Sequence, residues 1–129
     1  MKDFKFQLTI KDALPEEVYN ALTNPFAIEL WSGYPAVMHM ENNAEFSMWE
    51  GDIVGRILSF IPNQMIEQEW FFDDNQVPSI ATIKLHLQKK TDTYIVLEHN
   101  NIPDDDFENI TEGWKEYYLG AIKLFFEEA

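Results

Sequence analysis

The stretch that decides the fold is residues 106–127, DFENITEGWKEYYLGAIKLFFE, near the end of a chain of 129 residues. Its apolar residues recur at steps of three and four, which is typical of one face of an α-helix. They are Phe107, Ile110, Trp114, Tyr117, Tyr118, Ala121 and Phe125. Asp105 followed by Glu108 has the spacing of a capping box at the start of a helix. The sequence therefore predicts one long amphipathic helix from Asp106 to Glu127.

Two glycines, Gly113 and Gly120, lie one heptad apart inside this predicted helix. Each glycine costs about 1 kcal/mol relative to alanine in a helix interior. We therefore expect something to compensate for them, either close packing or a space left open beside the helix.

The residues before the helix predict strands joined by short turns. Residues 4–10 alternate apolar and polar side chains, as in a half-buried strand. Further strand-like runs cover Val37–Met40, Glu45–Trp49, Ile53–Ile61, Met65–Phe72, Ile80–Gln88 and Thr93–Asn100. Their short connections favour antiparallel neighbours, with a longer loop at Asp73–Pro78.

Two short helices are predicted between the first strand and the others. Pro15 suits the first turn of one helix, and Pro25 separates it from a second at Phe26–Trp31. An antiparallel sheet of seven strands needs cover for its apolar face, and the C-terminal helix is the only element long enough. The sequence therefore predicts a single α+β domain, residues 1–129, in which a curved sheet wraps around a long helix. Such packing often leaves a cavity.

The charge of the chain limits its partners. It carries 9 basic and 23 acidic residues, a net charge of −14. We expect neither nucleic acid nor an anionic membrane as partner, because phosphate binding needs clustered Lys and Arg. There is no cysteine, which excludes disulfides and cysteine-bound metals. With no apolar secretory segment in Met1–Ile10, the expected location is cytoplasmic.

Histidines and charged residues give no catalytic or metal-binding pattern. No pair among His39, His86 and His99 has metal-ligand spacing. His99 lies in register with core-facing residues, either as a hydrogen-bonded rim residue or as a ligand-contacting or acid–base residue. Arg56 is expected in an ion pair on the sheet surface, with an anionic ligand as the alternative.

The carboxylates near turns are interpreted as surface groups. Glu50 and Asp52 flank Gly51 in a tight hairpin, and a solvated turn does not separate two pKa values as acid–base catalysis requires. The run Asp104–Asp106 lacks the alternation and central glycine of a calcium loop, and helix capping explains it. No metal or cofactor is predicted.

Aromatic residues are numerous for one small core, at 15% of the chain. They either pack the core or line a cavity, where methionines would make the lining adaptable. The candidate lining residues are Trp31, Tyr34, Met38, Met40, Trp49, Trp70, Phe72, His99, Trp114 and Tyr118. A pocket of about 300–1,000 Å³ would suit a small apolar ligand, neutral or cationic.

Several pieces of the chain, taken in order, resemble one known family. They are LPEEVYNAL at 14–22, FSMWEGDIVG at 46–55, ATI at 81–83, LEH at 97–99 and GWKEYYLGAIK at 113–123. Together they resemble the activator of heat shock protein 90 ATPase homologue family, within the SRPBCC superfamily. The resemblance implies the helix-grip fold, also called birch-pollen-allergen or START-like.

The resemblance implies a non-enzymatic binding domain similar to the C-terminal domain of the eukaryotic co-chaperone. Its partner would be a heat shock protein 90-type chaperone or another basic protein surface. The eukaryotic protein has a separate N-terminal domain that this chain has no room for, so activator activity is not carried over. Two alternatives remain open, a small hydrophobic ligand between sheet and helix, or a cyclase or hydrolase using His99 and a nearby carboxylate.

Overall fold

The computed structural model describes residues 1–73 and 77–128, so the predicted loop at Asp73–Pro78 lies partly outside the described residues. The strands are β1 (Lys2–Ile10), β2 (Glu45–Met48), β3 (Ile53–Ile61), β4 (Met65–Trp70), β5 (Ser79–Gln88) and β6 (Asp92–Ile102). The helices are α1 (Pro15–Thr23), α2 (Pro25–Ser32), α3 (Phe107–Glu112) and α4 (Leu119–Glu127). A π-helical segment, Gly113–Tyr118, joins α3 to α4, and short 3₁₀ turns cover Trp49–Gly51 and Asp104–Asp106. No helix in these described ranges has the length and hydropathy to cross a membrane.

The strands form one antiparallel sheet in the order β1-β6-β5-β4-β3-β2, which confirms the α+β helix-grip architecture. The predicted count of seven strands is wrong, because Val37–Met40 makes only a single bridge, between Val37 and Ser47. The chain turns at His39, whose carbonyl accepts a hydrogen bond from the Glu41 N–H at 2.9 Å, so the ladder does not continue. The sheet described here therefore has six strands.

The inner face of the sheet carries the core. Ala81, Ile83 and Leu85 of β5 are buried, as their alternation predicts, whereas Leu87 near the β5–β6 hairpin is 59% exposed. Gly55 in β3 has no room for a side chain, because a Cβ there would lie 2.0 Å from the Glu69 carbonyl oxygen. Glycine at this position thus allows the close approach of β3 to β4.

The C-terminal helix is long but not uniformly α-helical. In the π-helical segment the Leu119 N–H donates to the Trp114 carbonyl, which lies five residues earlier instead of the four of an α-helix. This hydrogen bond closes a turn that is wider than an α-helical turn, called the wide turn below. Tyr118, with φ −103° and ψ −89°, lies outside the helical region at the junction with α4. The predicted capping box is also wrong, since Asp105 lies in a 3₁₀ turn and no side chain caps α3.

The wide turn corrects the predicted apolar stripe. Ile110, Trp114 and Tyr118 face inward as predicted, and Ala121 packs against the core, but Leu119, Ile122 and Phe126, which lie outside the predicted stripe, also face inward. Tyr117 is 63% exposed and Phe125 is 36% exposed. One extra residue in a turn rotates everything after it by about 100°, which moves the buried face on by one position.

The end of α4 is fastened to β1, which lies at one edge of the sheet. Lys123 Nζ donates to the Thr9 carbonyl at 2.6 Å and pairs with Glu127 at 2.7 Å. Glu127 in turn accepts from the Lys11 N–H at 2.9 Å. These contacts attach the C-terminal end of α4 to β1.

Candidate functional site: an aromatic groove

A groove of about 780 Å³ lies between α2 with its following loop, the Trp49–Gly51 turn and the π-helical segment. It brings together residues that are distant in sequence but were predicted as cavity lining: Trp31, Tyr34, Trp49, Trp70, Trp114 and Tyr118. The two walls come from different parts of the chain, so only the folded protein has this groove.

Tyr118 is the centre of the aromatic cluster beneath the groove. Its ring centroid lies 4.5 Å from that of Trp114, 5.4 Å from Trp31, 5.6 Å from Trp49 and 6.4 Å from Trp70. Distances of this size are those of favourable offset and edge-to-face ring pairs. The cluster therefore joins α2, the β2–β3 turn, β4 and the C-terminal helix at one point.

The turn that carries Trp49 has an unusual backbone. Trp49, Glu50 and Gly51 have φ values of 49°, 55° and 97°, all in the left-handed region. Residues other than glycine reach this region at a cost of about 1 kcal/mol or more each. The strained turn places the Trp49 ring edge-on to Trp31 at 5.9 Å, so packing in the cluster offsets the strain.

His99 lies behind the groove instead of lining it. The Trp114 Nε1–H donates to His99 Nδ1 at 2.9 Å, and Ser79 Oγ lies 2.9 Å from Nε2. Because an indole N–H can only donate, Nδ1 is unprotonated and the neutral ring carries its proton on Nε2, facing Ser79. The Ser79 hydroxyl donates onward to the Asn100 carbonyl at 3.2 Å. Burial lowers the pKa of His99 to about 4, which keeps the ring neutral at physiological pH.

The other predicted lining residues lie elsewhere. Met38 is buried in the core, and Met40 is partly buried and packs against the core. Phe72 lines a separate depression, together with Asp52, Asp73 and the Asp104–Asp106 turn. Alternation along a strand therefore identified inward side chains, but not which of them border open space.

Several groove residues were not among the predicted lining residues. Asp52 and Glu116 are exposed acidic residues in the lining, and Tyr117 adds an exposed ring. Gly113 also lines the groove, and a Cβ there would meet no atom of the described residues within 4 Å, apart from the neighbouring residues and the helix's own backbone. Of the two expected explanations for the helix glycines, open space beside the helix is therefore the one found at Gly113.

The remaining charged candidates are surface groups. Arg56 donates to Glu69 at 2.9 Å and to the Asn43 side chain at 2.9 Å, which confirms the predicted ion pair on the sheet. Asp104 pairs with the N-terminal amine at 2.7 Å, so its expected capping role is replaced by an ion pair. Within residues 1–73 and 77–128, no group of three or more His, Cys, Asp or Glu could hold a metal ion.

Replacing Tyr118 by phenylalanine is expected to raise the free energy of unfolding by about 1 kcal/mol. The hydroxyl is buried and has no hydrogen-bond partner among the described residues, and such a group costs about 1–3 kcal/mol of desolvation. Burial raises the pKa of Tyr118 above its usual range.

Urea unfolding of Tyr118→Phe beside the wild type measures this change. Tyr34→Phe is the matched control, because Tyr34 is 46% exposed and its variant should differ by less than about 0.5 kcal/mol. A loss of stability in Tyr118→Phe would contradict the prediction, since it would mean that the hydroxyl is hydrogen-bonded in the folded protein.

Comparison with known proteins agrees with the resemblance seen in the sequence. The chain is 27% identical over 124 residues to the activator of 90 kDa heat shock protein ATPase homolog 1 of Mus musculus, covering 93% of this chain and 37% of that protein. It is 29% identical over 114 residues to the homologous activator of Dictyostelium discoideum, covering 87% of this chain and 30% of that protein. The chain thus spans only about a third of the length of these relatives.

Solved structures share the whole fold. A crystal structure of an HSP90 activator from Plasmodium falciparum superposes with a TM-score of 0.88 at 24% identity, covering 97% of this chain and 96% of that one. At this identity the superposition establishes the fold alone. A family model matches residues 12–127, nearly the whole chain. The chain therefore belongs to the family described as Activator of Hsp90 ATPase homolog 1-like protein.

Proposed function

We propose that this chain is a non-enzymatic, co-chaperone-like domain that binds a chaperone of the heat shock protein 90 type in the cytoplasm. The similarity to ATPase activators over 93% of the chain is the observation that carries the proposal. Because the chain spans only 37% of the mouse relative, the proposal concerns binding, and any change in ATP turnover is measured separately.

An exposed apolar face on α2 supports a protein partner. Phe26 is 82% exposed and Leu30 is 72% exposed, and their spacing of four places both on one face of the helix. The acidic residue Glu29 lies next to Leu30 in this helix, and the whole chain carries a net charge of −14. An apolar face in an acidic surface is complementary to an apolar patch bordered by Lys and Arg.

Co-elution with a purified heat shock protein 90-type chaperone tests this proposal. We expect binding in low salt that weakens as ionic strength rises, because exposed charges are screened beyond about 10 Å at 0.1 M salt. The variant Phe26→Ser/Leu30→Ser should bind at least tenfold more weakly. Leu87→Ser, at a site 59% exposed on β5, is the control and should bind like the wild type.

The same samples decide the outcome. ATP turnover by the chaperone is measured with and without this protein, over the concentrations used for co-elution. Absence of co-elution at low salt together with unchanged turnover would eliminate the proposal. Wild-type binding by Phe26→Ser/Leu30→Ser would eliminate the α2 face as the contact.

A second function is supported by the groove itself. A volume of about 780 Å³ with aromatic walls is in the range of small-molecule sites. A ligand that binds only the folded state raises the melting temperature, by an amount equivalent to about 2.7 kcal/mol at a hundred times its Kd. A screen of small apolar compounds with no shift in melting temperature would count against this second function.

A further inference from the structure

The charge in the groove has one sign only. Asp52, directly after the Trp49–Gly51 turn, and Glu116, in the π-helical segment, both line the groove, and among the described lining residues there is no Lys, Arg or His. Neither carboxylate takes part in any of the four salt bridges formed by the described residues. Two uncompensated negative charges therefore face the same space, where apolar walls exclude part of the water that would otherwise screen them.

The mouth of the groove is also aromatic. Tyr34 is 46% exposed and Tyr117 is 63% exposed, and Trp49 is partly exposed beside them. The faces of such rings attract a cation within about 6 Å of the ring centroid. An anionic ligand would be repelled by both carboxylates, and a neutral apolar ligand would desolvate them without compensation.

We propose that the groove binds an organic cation, an alkylammonium group attached to an apolar or aromatic body. The cationic group would lie at the mouth, near Asp52, Glu116 and the exposed rings, and the apolar body would extend over the Trp31 side of the cluster. This inference rests on the second function proposed above and names its ligand class.

The absence of a side chain at Gly113 leaves part of the groove open, and a larger residue at this position would fill it. This glycine leaves the π-helical wall without a side chain, and beyond the helix's own backbone none of the residues that the structure describes comes within 4 Å of a Cβ there. A leucine at this position would extend into the groove without meeting the protein backbone at its Cβ. Gly113→Leu is therefore expected to exclude ligands from the groove while the fold persists.

Three probes of nearly equal shape test the proposal: benzyltrimethylammonium, its uncharged isostere neopentylbenzene, and benzylsulfonate. Binding is followed by tryptophan fluorescence and by chemical-shift changes of the indole N–H groups. We expect the cation to bind at least tenfold more tightly than the neutral isostere, with an affinity that falls as salt is added, and the sulfonate not to bind.

Variants separate charge from shape. Asp52→Asn/Glu116→Gln should weaken binding of the cation about tenfold and should not weaken binding of the neutral isostere, because it removes charges that a neutral ligand would have to desolvate. Glu41→Gln/Glu45→Gln removes the same net charge from exposed positions outside the groove lining and is the control, expected to bind as the wild type does. Gly113→Leu should abolish binding of both the cation and the neutral probe.

Each outcome is decisive. Equal affinities for the cation and the neutral isostere would overturn the cation proposal and leave the groove as an apolar site. No binding of any probe would overturn the second function as well. Cation binding that survives in Gly113→Leu, or that weakens equally in the control variant, would place the cation outside the groove and overturn the proposal.

Discussion

Gly120→Ala is expected to lower the free energy of unfolding by about 3 kcal/mol, although alanine is the better helix former. A Cβ at Gly120 would lie 2.0 Å from the Lys115 carbonyl oxygen, a separation that real Cβ atoms do not adopt. The wide turn of the π-helical segment brings this carbonyl, five residues earlier, to the place where the Cβ would point. The variant must shift the backbone or lose the wide turn.

Gly113→Ala is the matched control for this prediction. It lies one heptad earlier in the same helix, and its Cβ would enter open space. The higher helix propensity of alanine should therefore raise the free energy of unfolding of Gly113→Ala by up to about 1 kcal/mol. Urea unfolding of the two variants and the wild type gives both values. Equal effects in the two variants would contradict the role of the π-helical segment in requiring glycine at position 120.

Lowering the pH from 8 to 4 is expected to remove about 3 kcal/mol of unfolding free energy through His99 alone. Burial lowers the pKa of His99 to about 4 in the folded protein, from 6.5 in the unfolded chain. In this window the unfolded state takes up the proton first, so acid favours unfolding. The contribution is fully present above the unfolded pKa and is lost as the pH falls towards about 4.

Most of this effect can be separated from the carboxylates. Hydrogen bonds hold the pKa values of Asp92, Asp104 and Glu127 below their usual range. The contribution of these carboxylates to the free energy of unfolding is therefore lost mainly below pH 5. Urea midpoints at pH 6.5 and pH 5 should differ by about 1.5 kcal/mol in the wild type because of His99.

Variants of two histidines test the assignment. In His99→Asn the amide oxygen can still accept from Trp114, and the difference between pH 6.5 and pH 5 should disappear. His86→Asn removes an exposed imidazole and is the matched control. A wild-type pH dependence in His99→Asn would contradict the assignment.

Side-chain alternation was enough to predict most of the sheet. Ala81, Ile83 and Leu85 face inward as predicted because one side of a strand must be buried and the period is two. The run at Val37–Met40 misled because three apolar residues around His39 satisfy the same pattern, whether or not a neighbouring strand is in reach. Strand pairing is a long-range contact, and a local pattern does not contain it.

The π-helical segment could not be predicted from periodicity. Ala121 and Phe125 continue an α-helical stripe as well as Ile122 and Phe126 continue the shifted one, since all four are apolar. Gly120 was the one local sign of the wide turn. In the sequence it looks like Gly113, and only the Lys115 carbonyl beside it distinguishes the two.

The aromatic residues of the candidate site were among the predicted lining residues, whereas its charged residues were not. Tryptophans are scarce and bulky, so their positions on facing elements indicate a cluster wherever the fold is known. Asp52 is one acid among 23, and its place at the groove depends on the left-handed turn before it. His99 was predicted to face inward, but the sequence does not reveal that Trp70 and Trp114 stand between it and the groove.

The attachment of α4 to β1 has a consequence for self-association. The outer side of an edge strand is a template on which another chain can add a strand and start an aggregate. At the C-terminal end of β1, Lys123 donates a hydrogen bond to the Thr9 carbonyl, and Glu127 accepts one from the N–H of Lys11, just beyond the strand. An incoming strand would have to displace two charged side chains to pair there. The C-terminal end of α4 thus disfavours strand addition, and with it polymerisation, at this end of the β1 edge.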